Sequence, residues 1–487
     1  MKELRNYVAG EWLSSTRTFE KRSPYDGSHV AVVHEAEQPM VDAAVEAGRA
    51  AWRGAWGTLP VGARVGMLRD LSVRLKARLD DLIEAEVADT GRPYWQARNF
   101  DGLRAIGVID AYCDLAMGLE NRSSTFPVDG VMGGFWYSVR RPKGVIACIA
   151  PWNVPLLMML LKVVPALLMG NSVIAKPSEE TPSSCTLLAE IISQTDIPPG
   201  AFSMLHGFGA GSTGEWLTTH TGVDAVMFTG ESGTGSAIMQ AAAKGLRDVA
   251  FELGGKNAAI IFDDADMDRT IEGMVRAAFF NCGQICFCTE RAYVHRSRYD
   301  EFLARLSEAA RRIVIGQRDH AGFSIGPLIS QGHREKVLGL LETIVKDGGT
   351  IVEGGGIPDF NDARSRGSFV QPTIAIGLPE TARFVKNEVF GPVIHVRPFD
   401  EEQEVIALAN DSLYGLATSI WTNSISRAHR VAPQIRVGHA WINSWQLRDL
   451  QSPLTGAGMS GIGEQFGRSS LDFCTQPQTI TVRVFDK

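Results

Sequence analysis

Three of the seven cysteines in this 487-residue chain fall inside the octapeptide NCGQICFC, at Cys282, Cys286 and Cys288. Such a cluster can hold a metal, form a disulfide, or present one thiol as a nucleophile. Its gaps of three residues and one residue match neither the paired two-residue gaps of zinc sites nor the runs that bind iron–sulfur clusters. His295 and His320, on a predicted strand and a loop, have no matching spacing, and surface or packing roles account for them. No metal site is expected. An odd and sparse cysteine count fits free thiols in a reducing compartment better than a disulfide framework.

The nucleophile reading requires a thiol at a loop or helix end, a base, and donors for an oxyanion. Gly283 and Gln284 break the helix expected to end near Phe280, which lets the backbone at Cys286 turn its N–H toward a bound oxygen. Cys282 and Cys288 lack that arrangement. FELGGKN places Glu252 before a Gly-Gly turn, and APWNVP places Asn153 in a loop pinned by Pro151 and Pro155. Taken singly, a glutamate before a turn caps or solvates, and a proline-flanked asparagine makes a turn.

These residues need a frame. At 487 residues the chain exceeds the roughly 250 to 300 at which single cores stop growing, so two or three domains are expected. The composition, 45% hydrophobic and 21% charged without low-complexity tracts, is that of an ordered globular protein. A net charge of -7 without lysine or arginine runs argues against nucleic acid or an anionic membrane as partner and favours a small molecule. The longest apolar run, VPLLMMLLKVVPALLMG at 154–170, holds Lys162 at its middle and falls short of about 20 residues, so it reads as a buried helix rather than a membrane span. No apolar stretch of signal-peptide length opens the chain, and the cytoplasm is the expected location.

Short apolar runs (GVIACIA, GNSVIAKPS, FSMLHGFG, AVMFTG, NAAIIF) alternate with helical spacing at 182–194 and 235–244. That alternation predicts a parallel sheet covered on both faces, with ligands beyond the carboxyl ends of its strands. After ELGGKN a second series begins: a helix over 268–280, a strand over 291–295 and an amphipathic helix over 299–315. It predicts a second α/β domain. The last strand, 478–485, has no obvious local partner; it either completes a neighbouring subunit's sheet or pairs within its own chain.

Taken together, these residues make the sequence resemble the aldehyde dehydrogenase superfamily, from YVAGEWLSS near the start to DFCTQPQTITVR near the end. PWNVP, GNSVIAKPSEETP, FTGESGTG, ELGGKN, GQIC, EVFGPV and MSGIG occur in the family's order. The resemblance implies an α/β fold. The resemblance places a Rossmann-like parallel-sheet NAD-binding domain at 1–122 and 143–253, an α/β catalytic domain at 254–455, and a small β oligomerisation element at 123–142 and 470–487 as expected divisions. It implies a homodimer or homotetramer, NAD as cofactor and an aldehyde as substrate. Cys286 would attack the aldehyde, and its backbone N–H together with the Asn153 amide would hold the oxyanion. Hydride would leave for the nicotinamide, and Glu252 would activate the water that hydrolyses the thioester. Lys162 matches a family lysine near this proton path; a snorkelling lysine is the alternative.

GAGSTG, 209–214, satisfies G-x-G-x-x-G from Gly209, a weak sign alone. The resemblance puts the pyrophosphate instead at FTGESGTG, by Gly230 and the helix start at Ser232. Most members carry Ser where Glu231 stands, and a carboxylate there repels a phosphate unless it turns away. Lys176 and Glu179 match the residues at the adenosine ribose, which favours NAD over NADP, and Glu388 and Phe390 match those at the nicotinamide ribose. Trp152, Phe228 and Leu253 complete the implied cofactor site.

FTGES further resembles the subset that oxidises muconic semialdehydes from aromatic ring cleavage. Its two carboxylate-clamping arginines fall at Arg104, in a helix expected over 100–116, and at Arg448, with Trp441 and Trp445 as an aromatic wall. PLTG at 453–456 and the preceding QSP depart from the usual Pro-Phe-Gly-Gly and RTP, changes expected to lie near the substrate. Oxidation of neutral aldehydes, with both arginines structural, is one alternative. A non-enzymatic protein keeping the fold is another, against which intact Cys286, Glu252 and Asn153 argue.

Overall fold

A computed structural model describes residues 2–128 and 131–484. Five parallel strands form the middle of an eight-stranded sheet: Asp248–Glu252, Ala225–Thr229, Val145–Ile149, Ser172–Lys176 and Phe202–Met204, in that spatial order. Antiparallel strands close both edges, Gly461–Ile462 on one side and Asn6–Val8 with Glu11–Leu13 on the other. The central strands are apolar on both faces because helices cover both. One of these helices, Pro155–Leu168, is buried along its whole length, as its unbroken apolar run dictates. Among the described residues no helix is long and apolar enough to cross a membrane.

A second, seven-stranded sheet follows the order Thr350–Glu353, Thr373–Ile376, Val393–Phe399, Thr289–His295, Asn257–Ile261, Ala417–Trp421 and His439–Ile442. All its pairings are parallel except that of the first edge strand. Two α/β sheets are thus present, as the alternating pattern predicts.

Several boundaries differ from expectation. The helix over 235–244 begins at Ser232, and that over 299–315 ends at Arg311, where β-branched Val314–Ile315 pairs with Ser324–Ile325 instead. The helix expected over 100–116 is a π-helical segment, Ala97–Leu103, running into an α-helix, Arg104–Met117. The terminal strand does have a partner in its own chain. Thr475–Arg483 pairs antiparallel with Val131–Pro142, which also pairs with Ser123–Val128. A partner more than 300 residues upstream leaves no local trace in sequence. Phe485, expected at its end, lies outside the described residues.

Candidate active site

Glu252 and Thr229 end neighbouring parallel strands, and the loop after Ile149 carries Asn153, so three side chains meet beyond one carboxyl edge. The second sheet delivers the fourth. The helix Met267–Phe279 stops before Asn281 and Cys282, both in the left-handed region at φ 52° and 56°, and Gly283 follows at φ 73°. Three consecutive left-handed residues cannot continue a right-handed helix and reverse the chain toward Cys286. Gly283 is obligatory here, because a Cβ would lie 1.8 Å from the Gly391 carbonyl oxygen.

Side-chain amides fix this reversal. Asn281 Nδ2 donates to the Asn153 carbonyl at 3.1 Å, and Gln284 bridges to Pro327 and Ile329. Asn257 Nδ2 donates to the carbonyls of Cys286 and Cys288 at 2.7 and 2.8 Å, while its Oδ1 accepts from the Ala417 amide. Sequence reasoning gave Asn281 and Asn257 no role and Gln284 only that of a helix breaker, although Asn257 closes the ELGGKN motif.

A cavity of about 400 Å³ opens where the sheets face each other, and Cys286, Glu252, Asn153, Arg104 and Arg448 all line it. Cys286 is the half-exposed cysteine; Cys282, Cys288 and the other four are buried, and all seven are free. The backbone N–H of Cys286 has no acceptor among the described residues. Asn153 Nδ2 donates one hydrogen to the Gln284 carbonyl at 2.9 Å, which leaves its second hydrogen available. Two backbone- and side-chain-derived donors therefore border one cavity.

Burial first, then the charges of Glu252 and Glu388, push the Cys286 thiol well above its ordinary range, so it rests protonated and needs a base. Glu252 is 2% exposed with Oε1 unpaired. Burial raises its carboxyl to about 6, against the pull of Lys162 and Arg448. Such a carboxylate is ionised at neutral pH yet basic enough to take a proton. Lys162 is wholly buried, donates to Thr229 Oγ1 at 2.7 Å and is lowered to about 8 by burial. It does not snorkel, since its ammonium ends inside the protein beside Glu252.

One group of lining residues faces a cleft. The Trp152 and Phe390 rings meet edge to face at 5.3 Å, with His333 against Trp152 at 5.4 Å. Glu388 accepts from the Gly255 amide at 2.8 Å, and burial raises it to about 8. Gly230, Glu231 and Leu253 line the same cavity. The helix Ser232–Ala243 has no side-chain cap at its start, and nothing lies within 4 Å of a Cβ built on Gly233. Glu231 is exposed and turns to Lys336, 3.9 Å away. The Ser232 hydroxyl donates to the Met459 carbonyl at 2.8 Å.

Other sequence candidates stand apart from the cavity lining. Lys176, at the end of its strand, is buried 3.6 Å from Glu179. Gly209 is exposed in the loop after Phe202–Met204. The Phe228 ring is buried, 6.1 Å from Phe251 and against Gly230, and Phe228 is not among the residues lining the cavity.

The second group of lining residues is aromatic and cationic. The Arg104 guanidinium lies 5.1 Å from the Phe100 ring, and that of Arg448 lies 4.0 Å from Phe466 and 5.7 Å from Phe287. Neither arginine forms an ion pair among the described residues, and Arg448 Nε is buried without a partner. Burial and the charge of Arg448 lower Arg104 to about 10, which still leaves it cationic at neutral pH. Neither Trp445 nor Trp441 is among the residues lining the cavity; Trp445 donates to the Phe287 carbonyl at 2.9 Å, and the buried Trp441 meets the Phe287 ring edge to face at 5.4 Å. Phe100, Phe287 and Phe466 line the cavity. Nor do residues 453–456 line the cavity; Leu454 is buried in the core.

A protonated thiol beside a basic carboxylate and two free amide donors, facing a cleft at the carboxyl edge of a doubly covered parallel sheet, is the layout of a thiol-dependent dehydrogenase. The chain belongs to the aldehyde dehydrogenase family, whose profile matches residues 12–480. It is 46% identical over 484 residues to a 2-aminomuconic 6-semialdehyde dehydrogenase from Pseudomonas sp., with 99% of each chain covered. To a 2-hydroxymuconic semialdehyde dehydrogenase from Pseudomonas sp. (strain CF600) it is 47% identical, covering 99% of this chain and 100% of that one. A crystal structure of betaine aldehyde dehydrogenase from Staphylococcus aureus in complex with NAD+ superposes with a TM-score of 0.96 at 33% identity, covering 100% and 99% of the two chains.

Proposed function

We propose that the protein is an NAD-dependent dehydrogenase that oxidises a carboxylate-bearing, muconic-type semialdehyde to the acid. The observation that carries the substrate class is the pair of guanidiniums, Arg104 and Arg448, bordering the Cys286 cavity without carboxylate partners among the described residues. Burial and the charge of Arg448 both disfavour the Arg104 cation, and an anionic substrate beside it would offset them. The phenyl rings of Phe100, Phe287 and Phe466 suit a flat conjugated chain. Relatives named for muconic semialdehydes support the same class.

The cleft fits a dinucleotide. The uncapped, open start of Ser232–Ala243 suits a pyrophosphate, and Glu231 turns aside toward Lys336. Lys176 and Glu179 would hold the adenosine ribose, where the Glu179 carboxylate disfavours a 2′-phosphate; Glu388, Phe390 and Trp152 would hold the nicotinamide end. When bound, NAD supplies the hydride acceptor. Glu252 takes the thiol proton as the Cys286 sulfur bonds to the aldehyde carbon. The Cys286 N–H and the Asn153 amide hold the resulting oxyanion, which collapses to a thioester as hydride departs. Glu252 releases its first proton to solvent in the cavity and then accepts one from the water that releases the carboxylic acid.

The reading includes a homo-oligomer, supported by the outer edge of Thr475–Arg483, which pairs with no strand among the described residues. Seven free thiols support a reducing, cytoplasmic location. The deciding experiment compares 2-hydroxymuconic semialdehyde with benzaldehyde in Arg104→Ala and Arg448→Ala. Each charge-assisted contact is worth roughly 1.5 to 3 kcal/mol, so kcat/KM for the acid should fall about 10- to 100-fold, with far less change for benzaldehyde. Lysine should rescue in part only. Equal losses on both aldehydes would make the arginines structural and remove the substrate assignment.

A further inference from the structure

Below Asn153 lies a buried polar cluster that the reaction does not use. Arg92 follows the helix Leu79–Thr90 and is 2% exposed. Its turn is wedged in place, since a Cβ on Gly91 would lie 2.6 Å from Pro327 and one on Gly326 2.9 Å from the Arg92 Cα. The guanidinium spends its donors on three groups: Nε on Thr90 Oγ1 at 3.0 Å, Nη1 on the wholly buried Asp101, and Nη2 on the Asn153 carbonyl. Asn281 donates to the same carbonyl at 3.1 Å. Asp101 belongs to the π-helical segment that leads directly into Arg104.

We propose that Arg92, oriented by Asp101, is a positioning residue that aims the Asn153 amide at the oxyanion. The inference rests on the oxyanion reading of Asn153 given above. A flexible loop amide would sample many orientations, and transition-state stabilisation requires donors already aimed where charge develops. Two buried donors on one carbonyl remove that freedom at the residue whose side chain must point into the cavity. The charge on Arg92 is balanced by Asp101, so the guanidinium can sit in the interior without seeking another partner. Lysine at position 92 keeps a cation but loses the planar fork that contacts Asp101 and Asn153 together.

The test is a double-mutant cycle on Arg92→Lys and Asn153→Ala, read as the pre-steady-state rate of NADH formation with both 2-hydroxymuconic semialdehyde and benzaldehyde. Asn153→Ala should slow that step by about 100-fold or more, and Arg92→Lys by about 10-fold, with KM for NAD unchanged. Adding Arg92→Lys to Asn153→Ala should cost less than about 2-fold further, because the group it aims is gone. Losses that multiply overturn the positioning role while leaving Asn153 as oxyanion donor. An unchanged rate in Asn153→Ala overturns the oxyanion reading and this proposal with it. The same cycle with Asp101→Asn, which preserves side-chain shape, decides the matter if Arg92→Lys does not fold.

Discussion

At the scale of single residues, burial sets the chemistry. Cys286, Cys282 and Cys288 all have thiols raised by burial, yet only Cys286 borders the cavity and feels Glu252. Cys286→Ala should abolish NADH formation, while Cys282→Ala and Cys288→Ala keep most of it. Equal loss in all three folded variants would return the cluster to a metal or redox role. Glu252 makes a pH-dependent prediction. Its carboxyl, raised to about 6, must be ionised to accept a proton, so turnover should climb with pH through that value and level off above it. In Glu252→Gln that limb should vanish, and both the first turnover of NADH and the later thioester hydrolysis should slow, since the variant lacks the base that each step uses. A turnover profile with the same limb in the variant would assign the base elsewhere.

At the scale of elements, the nucleophile loop is held between the two sheets by amides rather than by its own secondary structure. Asn257, at the start of a second-sheet strand, takes the carbonyls of Cys286 and Cys288 and the amide of Ala417. Replacing it with alanine leaves two carbonyls and an amide without that partner, at about 1 to 3 kcal/mol for each group that water cannot reach. Asn257→Ala should lower Tm and kcat together and leave KM for NAD little changed. A normal kcat with a normal melting curve would show that the loop holds its shape without this side chain.

For the whole molecule, the third sheet joins segments far apart in the chain. Among the described residues the strand Thr475–Arg483 pairs with one other strand, Val131–Pro142, and Val482 and Val484, 43% and 56% exposed, add apolar surface beside it. An unprotected edge of this length invites another strand. Deleting residues 478–487 should therefore reduce the particle mass seen by light scattering. Retention of the full assembly would place the subunit contact on another surface.

Much of this was legible in the sequence. Alternating apolar runs and helical spacing predicted two parallel α/β sheets, because strand and helix periods follow from local backbone geometry. The family resemblance carried by the motifs singled out Cys286, Glu252 and Asn153 together, and the three line one cavity. Contacts across the chain were not legible. Trp445 reads as a wall residue from its place before Arg448, yet Phe287 lines the cavity and Trp445 does not; which side chain of a crowded loop faces the cavity depends on the turn geometry of neighbouring segments. The partner of the last strand and the Arg92–Asp101 link under Asn153 join separate segments. Local spacing therefore determined the elements, and the resemblance carried by the motifs pointed to the reaction, while tertiary packing alone decided which buried polar groups meet, since hydrogen bonds between distant segments exist only after the core has brought them together.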